Sequence, residues 1–421
     1  MSVAPPEPRR SAPRRPAWSS SAPPERPPSP RRFTRLVRLP ARLRDRLDPG
    51  DREVLWLYLL TRISIGITAY CVRWMFPGDG GTHEPTALLE PFARWDWGHY
   101  LHIARDGYFP GESGPWDKKW DSREAFFPGF PLLLRALHTV VPSWTAAGLL
   151  ISFAAGAVGV LALARIARLY LPGTDGDRRT VLFFLLSPCA IFLAVGYTEA
   201  LFLAFALPGW LAAQRHRWAA AALLTALATT VRISGLFVAA AIAVHFILTA
   251  ARARGHWRSL PWLALPAVPA ALFAWYLHAH TGDWMAWKHA QERGWSRTFR
   301  SPWEGWSHTW DAAFERTQST GFAAMFQAEL VAMVLGLVLL GVLLWRRRWA
   351  EAVYIGLTLW ALGTSYWFMS IPRSTLLWWP LWIGLAGWSL RRPQVRTVYL
   401  CLVAPVSTVL TLTFLSGRWA G

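Results

Sequence analysis

The sequence predicts an all-α integral membrane protein, and three observations lead to this prediction. Of its 421 residues, 53% are hydrophobic and only 16% are charged, an apolar excess over ordinary soluble domains. The apolar residues form long uninterrupted runs. The basic residues lie in an N-terminal tail and in short loops between those runs, as expected where cytoplasmic loops are positively charged. The net charge of +19 therefore does not indicate a nucleic-acid partner.

Residues 1–50 are predicted to be a disordered cytoplasmic tail, and residues 51–421 a polytopic membrane domain. The tail combines proline with arginine and carries few apolar residues, so it cannot bury enough surface to fold. No short apolar core followed by a cleavage site precedes the first span, so that span is expected to be an uncleaved anchor. The predominance of arginine over lysine suggests a bacterial source with a GC-rich genome.

The apolar runs predict about eleven transmembrane helices. Several runs are shorter than the roughly 20 residues that a straight spanning helix needs, so the corresponding helices are expected to be tilted, broken or re-entrant. The predicted spans are 54–73, 144–164, 180–195, 198–213, 218–232, 235–250, 260–279, 321–345, 350–369, 374–390 and 397–416.

The distribution of arginine predicts the orientation. If Phe126 to Val141 does not cross the membrane, the arginine clusters of the later loops all fall on the cytoplasmic side, so this segment is predicted to pack at the outer face. Trp218 to Ala250 is divided into two spans at Val231 to Gly235. If it were a single span, the predicted membrane orientation of all later segments would be reversed. The first extracytoplasmic loop, 74–143, then carries interfacial helices, and a tryptophan-rich loop, 280–320, lies on the same side.

With this orientation, the polar interruptions of the apolar runs gather on one face. A charge near the membrane interior costs roughly 2.5–3.5 kcal/mol, so Glu199, Arg232 and Arg373 need a functional reason, which a shared polar cavity would supply. The converging segments are Arg94–Glu124, Gly196–Glu199, Val231–Gly235, Thr281–Thr320 and Ile371–Ser374.

The stretch RWDWGHYLHIARDGY places Asp96 between two tryptophans. As a helix at the interface it turns Trp97, Tyr100 and Tyr108 to one side and Asp96 with His99 to the other. A carboxylate held at this boundary can act as general base towards an acceptor hydroxyl. The alternative is that Asp96 only caps the helix.

Arg232 and Arg373 are candidates for binding a lipid phosphate, because a guanidinium grips phosphate through two parallel hydrogen bonds. The alternatives are that each arginine extends to the interface or pairs with Glu199. Glu199 itself could orient an arginine, hold a sugar hydroxyl or satisfy a helix end after Tyr197.

His99 and His102, following Asp96, have a spacing that also suits a transition metal, but this signal is weak. We expect no metal or cofactor and interpret His99 as a hydrogen-bonding wall residue. Tryptophans in the 280–320 loop suit sugar rings or isoprenoid tails, although anchoring at the interface explains them equally well. Cys71, Cys189 and Cys401, in or beside apolar runs, indicate no disulfide, and Arg62, in mid-span, has no predicted role.

Four motifs in this order, RWDWGHYLHIARDGY, FFPGFPLLL, GYTEALF and VRISGL, resemble the PIG-V family of mannosyltransferases. The resemblance covers about residues 54–240. After that region, it is reduced to the short motif IPR near Arg373. It implies a GT-C glycosyltransferase architecture, in which a carboxylate of the first large non-cytoplasmic loop is catalytic. It further implies a polyprenyl-phosphate sugar donor, inversion at the anomeric carbon and, for mannose donors, no metal.

Carried over by position, the resemblance assigns the catalytic carboxylate to Asp96. Threonine occupies position 198, where serine is common in the family's tyrosine, serine or threonine, glutamate motif. The substrate-binding candidates, from the resemblance and from the residues themselves, are Arg94, His99, Tyr100, Phe127, Tyr197, Glu199, Arg232 and Arg373.

The predicted function is transfer of a hexose, with mannose favoured, from a polyprenyl-phosphate sugar to a hydroxyl of a lipid, glycan or protein. The reaction is expected at the extracytoplasmic face of the cell membrane, with the N terminus in the cytoplasm. The alternatives are a flippase or transporter of lipid-linked sugars and a non-catalytic sugar-lipid binding partner.

Overall fold

The computed structural model describes residues 47–76, 87–110, 122–250 and 254–420, without the side chains of 254–256. Residues 1–46, most of the predicted tail, lie outside this part of the chain, and the tail stays a prediction. The first helix begins at Pro49, where the side chain of Asp48 accepts a hydrogen bond from the backbone N–H of Asp51 at 2.8 Å.

The named elements in the described residues are all helical. The α-helices, numbered α1 to α17 in chain order, are Pro49–Met75, Trp97–Asp106, Gly129–His138, Trp144–Tyr170, Gly176–Leu185, Thr198–Gln214, Trp218–Val231, Ser234–Ala250, Ala267–Thr281, Ala286–Trp295, Pro302–Phe314, Thr320–Trp345, Trp349–Gly363, Ile371–Ser374, Trp379–Arg391, Pro393–Val398 and Ala404–Leu415. Shorter 3-10 helices are Glu90–Phe92, Arg123–Ala125, Ala190–Leu193, Arg254–Ala264 and Thr375–Leu377, and Tyr399–Val403 is a π-helix.

Five stretches of helix in the described residues are long and apolar enough to cross a membrane: Pro49–Met75, Trp144–Tyr170, Trp257–Thr281, Thr320–Trp345 and Pro393–Leu415. The protein is therefore an all-α integral membrane protein, as predicted. The other predicted spans correspond to shorter helices, so the number eleven is not confirmed.

Three of the shorter runs are broken helices, as expected for spans of insufficient length. The run 180–195 is interrupted after Leu185, and the chain continues through a turn to the 3-10 helix Ala190–Leu193. Pro188 explains this break, because proline disfavours helical geometry at the residue before it. The run 350–369 is helical only to Gly363, and the run 374–390 becomes α15 only at Trp379, whose neighbour Pro380 cannot donate to a preceding turn.

Two segments that decide the orientation have the predicted form. Helix α3, within Phe126–Val141, has 10 residues and is about 15 Å long, too short for a hydrocarbon core of about 30 Å. Trp218–Ala250 is divided into α7 and α8 by a turn at Arg232 and Ile233. The side of the membrane that each segment faces stays a prediction.

An ionic cluster joins α1 to α4 and α5 at the end where α1 begins. Asp51, 1% exposed, accepts hydrogen bonds from Arg165 at 2.6 Å and Arg168 at 2.9 Å, and Arg168 also donates to Asp177 at 2.7 Å. Because a buried carboxylate needs such partners, this cluster fixes α1 against the two later helices.

Candidate functional site

The backbone before α2 turns sharply to present Asp96. Trp95 has φ of +52°, a left-handed conformation that a bulky residue adopts only when its surroundings enforce it. Its indole Nε1 donates to the backbone carbonyl of Arg418 at 3.1 Å. Asp96 then precedes the first residue of α2, but its side chain makes no capping hydrogen bond. The capping alternative for Asp96 is therefore wrong.

Trp97 anchors this turn from the other side. It is 3% exposed, and its ring lies between two glycines, Gly148 of α4 and Gly196. A Cβ on either glycine would approach the ring to 2.5 Å, so only glycine leaves room for it. The two tryptophans that flank Asp96 thus hold the backbone on both sides of the carboxylate.

The carboxylate of Asp96 lies at one end of a chain of buried charges. Its Oδ2 accepts a hydrogen bond from an Nη atom of Arg373 at 2.7 Å, and the Nε of Arg373 donates to Glu199 at 2.6 Å. The same oxygen of Glu199 accepts from Arg232 at 2.7 Å. Two carboxylates and two guanidiniums therefore alternate, which offsets the cost of burying each charge. Arg232 and Arg373 therefore both form ion pairs with Glu199, which is one of the alternatives that the sequence left open.

The elements that carry these charges fix their positions. Glu199 is in the first turn of α6 and is 0% exposed, where a carboxylate is favoured by the helix dipole. Arg232 occupies the break between α7 and α8 and also donates to the hydroxyl of Thr198 at 2.7 Å.

Arg373 is positioned by a residue that the sequence analysis did not nominate. Glu329, 0% exposed in α12, accepts from the backbone N–H groups of Ser370 at 2.6 Å and Ile371 at 2.8 Å. Ser370 has φ of +67°, and the carboxylate stabilises this strained turn into α14. The only sequence signal is that Glu329 is an isolated charge within an apolar run, which is costly in a membrane without a partner.

Aromatic rings surround the buried arginine. The guanidinium carbon of Arg373 lies 4.7 Å from the ring centre of Phe192 and 4.8 Å from that of Tyr197, both within cation–π range. The Tyr197 hydroxyl donates to the backbone carbonyl of Arg94 at 2.7 Å. Burial, followed by the carboxylate of Asp96, raises the pKa of Tyr100 above its usual range. Tyr100 therefore keeps its proton, and its hydroxyl lies 3.4 Å from Oγ1 of Thr198.

These residues open on a cavity of about 720 Å³, a size suited to a substrate. All five polar segments that the sequence predicts to converge contribute residues to its wall. Of the predicted site residues, those that line this cavity are Asp96, Tyr100, Phe127, Tyr197, Arg232 and Arg373. Glu199 lies behind them, bonded to both arginines.

Two predicted site residues are placed elsewhere. The side chain of Arg94 is 3.9 Å from Glu90 and does not line the large cavity, and its role in substrate binding stays a prediction. His99 stacks on Phe126 with ring centres 4.8 Å apart and lines a second, smaller cavity next to Asp96.

Arg297, which the sequence analysis also missed, is a third arginine of the large cavity. Burial, and then the neighbouring charge of Arg232, lower its pKa to about 10, so it remains a cation at neutral pH. One of its Nη atoms is 3.5 Å from the carbonyl oxygen of Met369. Its loop is joined to the segment after α13 by a backbone hydrogen bond from Arg300 to Thr364 at 3.0 Å.

The histidine pair of α2 and Arg62 were also singled out in the sequence. No group of three or more His, Cys, Asp or Glu residues with metal-binding geometry occurs in the described part of the chain, so the spacing of His99 and His102 does not form a site there. Arg62 packs over the ring of Tyr58 at 5.0 Å, and its Nε and one Nη are buried without hydrogen-bond partners among the residues that the structure describes.

Comparison with known proteins gives a family match over the region that carries most of these residues. Residues 84–253 match the family model described as Mannosyltransferase (PIG-V). The mouse protein GPI alpha-1,6-mannosyltransferase 2 is 31% identical over 258 residues, which cover 54% of this chain and 48% of the mouse protein. The rat protein of the same name is 37% identical over 230 residues, 48% of this chain and 43% of the rat protein.

This chain thus spans about half the length, or less, of the curated relatives that it matches. Among solved structures, a crystal structure of ArnT from Cupriavidus metallidurans bound to undecaprenyl phosphate matches with a TM-score of 0.47 and 16% identity. That match covers 85% of this chain and 64% of ArnT. The resemblance to the PIG-V family that the motifs predict is confirmed over residues 84–253.

Proposed function

From the match of residues 84–253 to the PIG-V mannosyltransferase family, we propose that this protein is a membrane glycosyltransferase of the GT-C type. It transfers a hexose, with mannose favoured, from a polyprenyl-phosphate donor to a hydroxyl of a lipid, glycan or protein. The reaction takes place at the extracytoplasmic face and inverts the anomeric carbon. Asp96 is the general base.

One observation carries the proposal: Asp96 is held at the wall of the large cavity with one oxygen available. Arg373 occupies Oδ2, whereas Oδ1 makes no hydrogen bond to the described residues, and the side chain is 21% exposed. A general base needs an oxygen that reaches the reacting proton. Arg373 meanwhile prevents rotation of the carboxylate and keeps Oδ1 directed away from the ion pair.

We propose different roles for the arginines. Both Arg373 and Arg232 were candidates for the leaving phosphate, but Arg373 is committed to two carboxylates and is only 9% exposed. Arg232, with 26% of its side chain exposed, and Arg297 both line the cavity, and the charge of Arg232 contributes to lowering the pKa of Arg297. Two neighbouring guanidiniums favour a shared anion, so this pair is proposed to bind the phosphate of the donor.

The proposed reaction needs no further group. The acceptor oxygen attacks the anomeric carbon while its proton passes to Oδ1 of Asp96. The bond between that carbon and the phosphate oxygen breaks, and its electron pair stays on the phosphate. Arg232 and Arg297 stabilise this charge, so the leaving group does not require protonation. Attack from the side opposite the phosphate inverts the anomeric carbon.

The remaining wall suits a lipid-linked sugar. Rings contributed by distant parts of the chain line the cavity around the charged groups: Phe126, Phe127, Phe192, Phe237, Phe322, Phe326, Phe414 and Trp419. Such rings pack against isoprenoid chains and against the apolar faces of sugars. A lipid-linked sugar bound against these rings displaces water from the charged groups, which strengthens their interaction with the phosphate.

Replacement of Asp96 by Asn tests the proposal. The purified variant is supplied with polyprenyl-phosphate mannose and a membrane extract, and transfer of radiolabelled mannose is measured. The matched control is Asp106→Asn, at the other end of α2, where the carboxylate is exposed and pairs with its neighbour Arg105 at 2.8 Å. We expect Asp96→Asn to lose about 10²-fold or more of the rate and the control to retain it.

Two results would contradict the proposal. Unaltered transfer by Asp96→Asn removes Asp96 as the base. Donor binding without any transfer by the unmodified protein favours the flippase or the non-catalytic binding partner instead.

A further inference from the structure

The segment that follows α17 runs back to the residues around Asp96. We name this segment, Gly417–Ala420, the strap. The backbone carbonyl of Arg418 in the strap accepts the hydrogen bond from the indole of Trp95, and the last two residues of the strap line the large cavity. The predicted span 397–416 stops short of these residues, so a role for the strap can be inferred only from its contacts in the folded chain.

The end of α17 sets the direction of the strap. The N–H of Gly417 donates to the carbonyl of Phe414 at 2.9 Å. The N–H of Arg418 donates to the carbonyl of Thr413 at 3.0 Å, and together these are the two hydrogen bonds of a Schellman motif. Gly417 has φ of +82°, a left-handed conformation that glycine adopts without strain. Local hydrogen bonds and one glycine therefore fix how the strap leaves the helix.

Aromatic packing fixes the other half of the strap. The ring centre of Trp419 lies 5.4 Å from that of Phe322 and 5.6 Å from that of Phe326, both in α12. Rings at these distances attract each other beyond the area that they bury. Ala420, the next residue, is only 2% exposed. The strap is thus held by α17 on one side and by α12 on the other.

The turn that carries Asp96 needs such a restraint. The N–H of Trp97 donates to the carbonyl of Arg94 at 3.2 Å, so Trp95 and Asp96 form the centre of a tight turn. Trp95 is left-handed, with φ of +52°, and a bulky residue leaves this conformation unless its surroundings hold it. Relaxation of Trp95 would rotate the peptide bond that joins it to Asp96 and change the direction of the carboxylate.

The strap supplies this restraint to the more exposed side of the turn. Trp97 is enclosed by the fold, whereas Trp95 is 47% exposed and has less packing to hold it. Its indole has a single hydrogen-bond donor, and the acceptor is the carbonyl of Arg418 at 3.1 Å. This bond connects the strained residue next to the base with a backbone segment that is itself fixed at both ends.

We propose that the strap positions Asp96 through Trp95, which makes Trp95 and Gly417 positioning residues of the transfer reaction. The inference rests on the proposed function, in which Asp96 is the base. It extends the active site to a segment 323 residues along the chain from the catalytic turn.

The test weakens the restraint while an aromatic ring stays at the cavity wall. Trp95→Phe deletes the N–H that binds Arg418, and Gly417→Ala strains the turn from which the strap starts. One matched control is Trp310→Phe, because Trp310 is also 47% exposed but lines neither of the two cavities. The other is Gly173→Ala, where φ is +70° and a Cβ has no neighbour within 4 Å.

Initial rates are measured with membrane extract and varied polyprenyl-phosphate mannose, and thermal unfolding verifies folding. We expect kcat to fall roughly 3- to 10-fold in Trp95→Phe, the effect of one hydrogen bond, and by a similar factor in Gly417→Ala. The KM for the donor should stay within about 2-fold, because the groups proposed to bind the phosphate are unaltered. Both controls should retain kcat. If Gly417→Ala folds poorly, Trp95→Phe and its control carry the test alone.

A double variant separates positioning from a general loss of structure. When Asp96 is already Asn, Trp95→Phe should cause no further loss of the residual rate, since a positioning residue acts only through the group that it positions. Multiplied losses in the double variant would overturn the inference. A raised KM for the donor with unchanged kcat would also overturn it and would make Trp95 a wall residue only.

Amide hydrogen exchange of the peptide that contains residues 94–98 gives a readout independent of transfer. Exchange there should be faster in both strap variants and unchanged in the controls, because the turn opens locally when its restraint is lost. If exchange is unchanged in the strap variants, or if both retain the kcat of an active unmodified protein, the inference is wrong and the proposed function stands. If the unmodified protein transfers nothing, the proposed function fails, and exchange still decides whether the strap holds the turn.

Discussion

Arg373→Lys gives the sharpest test of how the buried charges act. Arg373 uses two different nitrogens: Nε donates to Glu199 at 2.6 Å and an Nη atom donates to Asp96 at 2.7 Å. Lysine keeps the positive charge but has one nitrogen on a flexible stem, so it cannot reproduce this rigid fork. Glu199 still has Arg232 at 2.7 Å, whereas Asp96 loses its hydrogen-bond partner among the described residues.

The expected loss of rate follows from the single hydrogen bond between Arg373 and Asp96. A hydrogen bond to a charged group contributes about 1.5–3 kcal/mol, which corresponds to roughly a 10- to 150-fold change in rate. Because Arg373 orients the base and does not grip the donor in the proposed mechanism, the loss should appear in kcat. The KM for the donor should stay within about 2-fold of the original.

The assay measures initial rates with purified protein while the polyprenyl-phosphate mannose concentration is varied, and thermal unfolding verifies folding. Arg348→Lys is the matched control, because Arg348 also pairs with a carboxylate, Glu351, but does not line the cavity. The double variant Arg373→Lys with Asp96→Asn provides a second measurement. If Arg373 acts through Asp96, the double variant should be no slower than Asp96→Asn alone.

The reasoning is refuted if Arg373→Lys retains kcat while the KM for the donor rises. In that case Arg373 binds the phosphate, and the division of roles among the three arginines is wrong. Additive losses in the double variant would show that Arg373 and Asp96 act independently.

Three further predictions concern the framework and the orientation. In Glu329→Gln, one carboxylate oxygen that accepts a backbone N–H just before Arg373 is replaced by an amide nitrogen, which cannot accept. We expect the free energy of unfolding to fall by about 1–3 kcal/mol and kcat to fall as well. An unchanged unfolding temperature would contradict the anchoring role of Glu329. Gly148→Ala should destabilise by about 1–3 kcal/mol, because the new methyl meets the Trp97 ring, whereas Gly66→Ala, with nothing within 4 Å, should not. In a cysteine-free background, cysteines at Thr174 and Ser319 should be labelled by an impermeant reagent from opposite sides of the membrane; labelling from one side would refute the orientation.

The local elements of this fold were largely predictable from the sequence. Apolar runs of sufficient length form helices wherever they occur, and proline breaks them at defined places, as Pro188 and Pro380 do. The division of Trp218–Ala250 at Arg232 was likewise readable, because a charge and a glycine interrupt the run. Asp96 was identified from its setting between tryptophans at an interface.

Only the tertiary structure decided which charges meet. Arg373 is 277 residues from Asp96 along the chain and 174 from Glu199, and no sequence period relates them. Their contact depends on how helices pack, for example on the fit of Trp97 between two glycines, and this complementarity is a property of pairs of distant segments. For the same reason Arg297 and Glu329 were missed: each looks like an ordinary charge until the folded chain supplies its neighbours. The sequence alone determined the helices and the catalytic candidate; packing determined the partners that make the site.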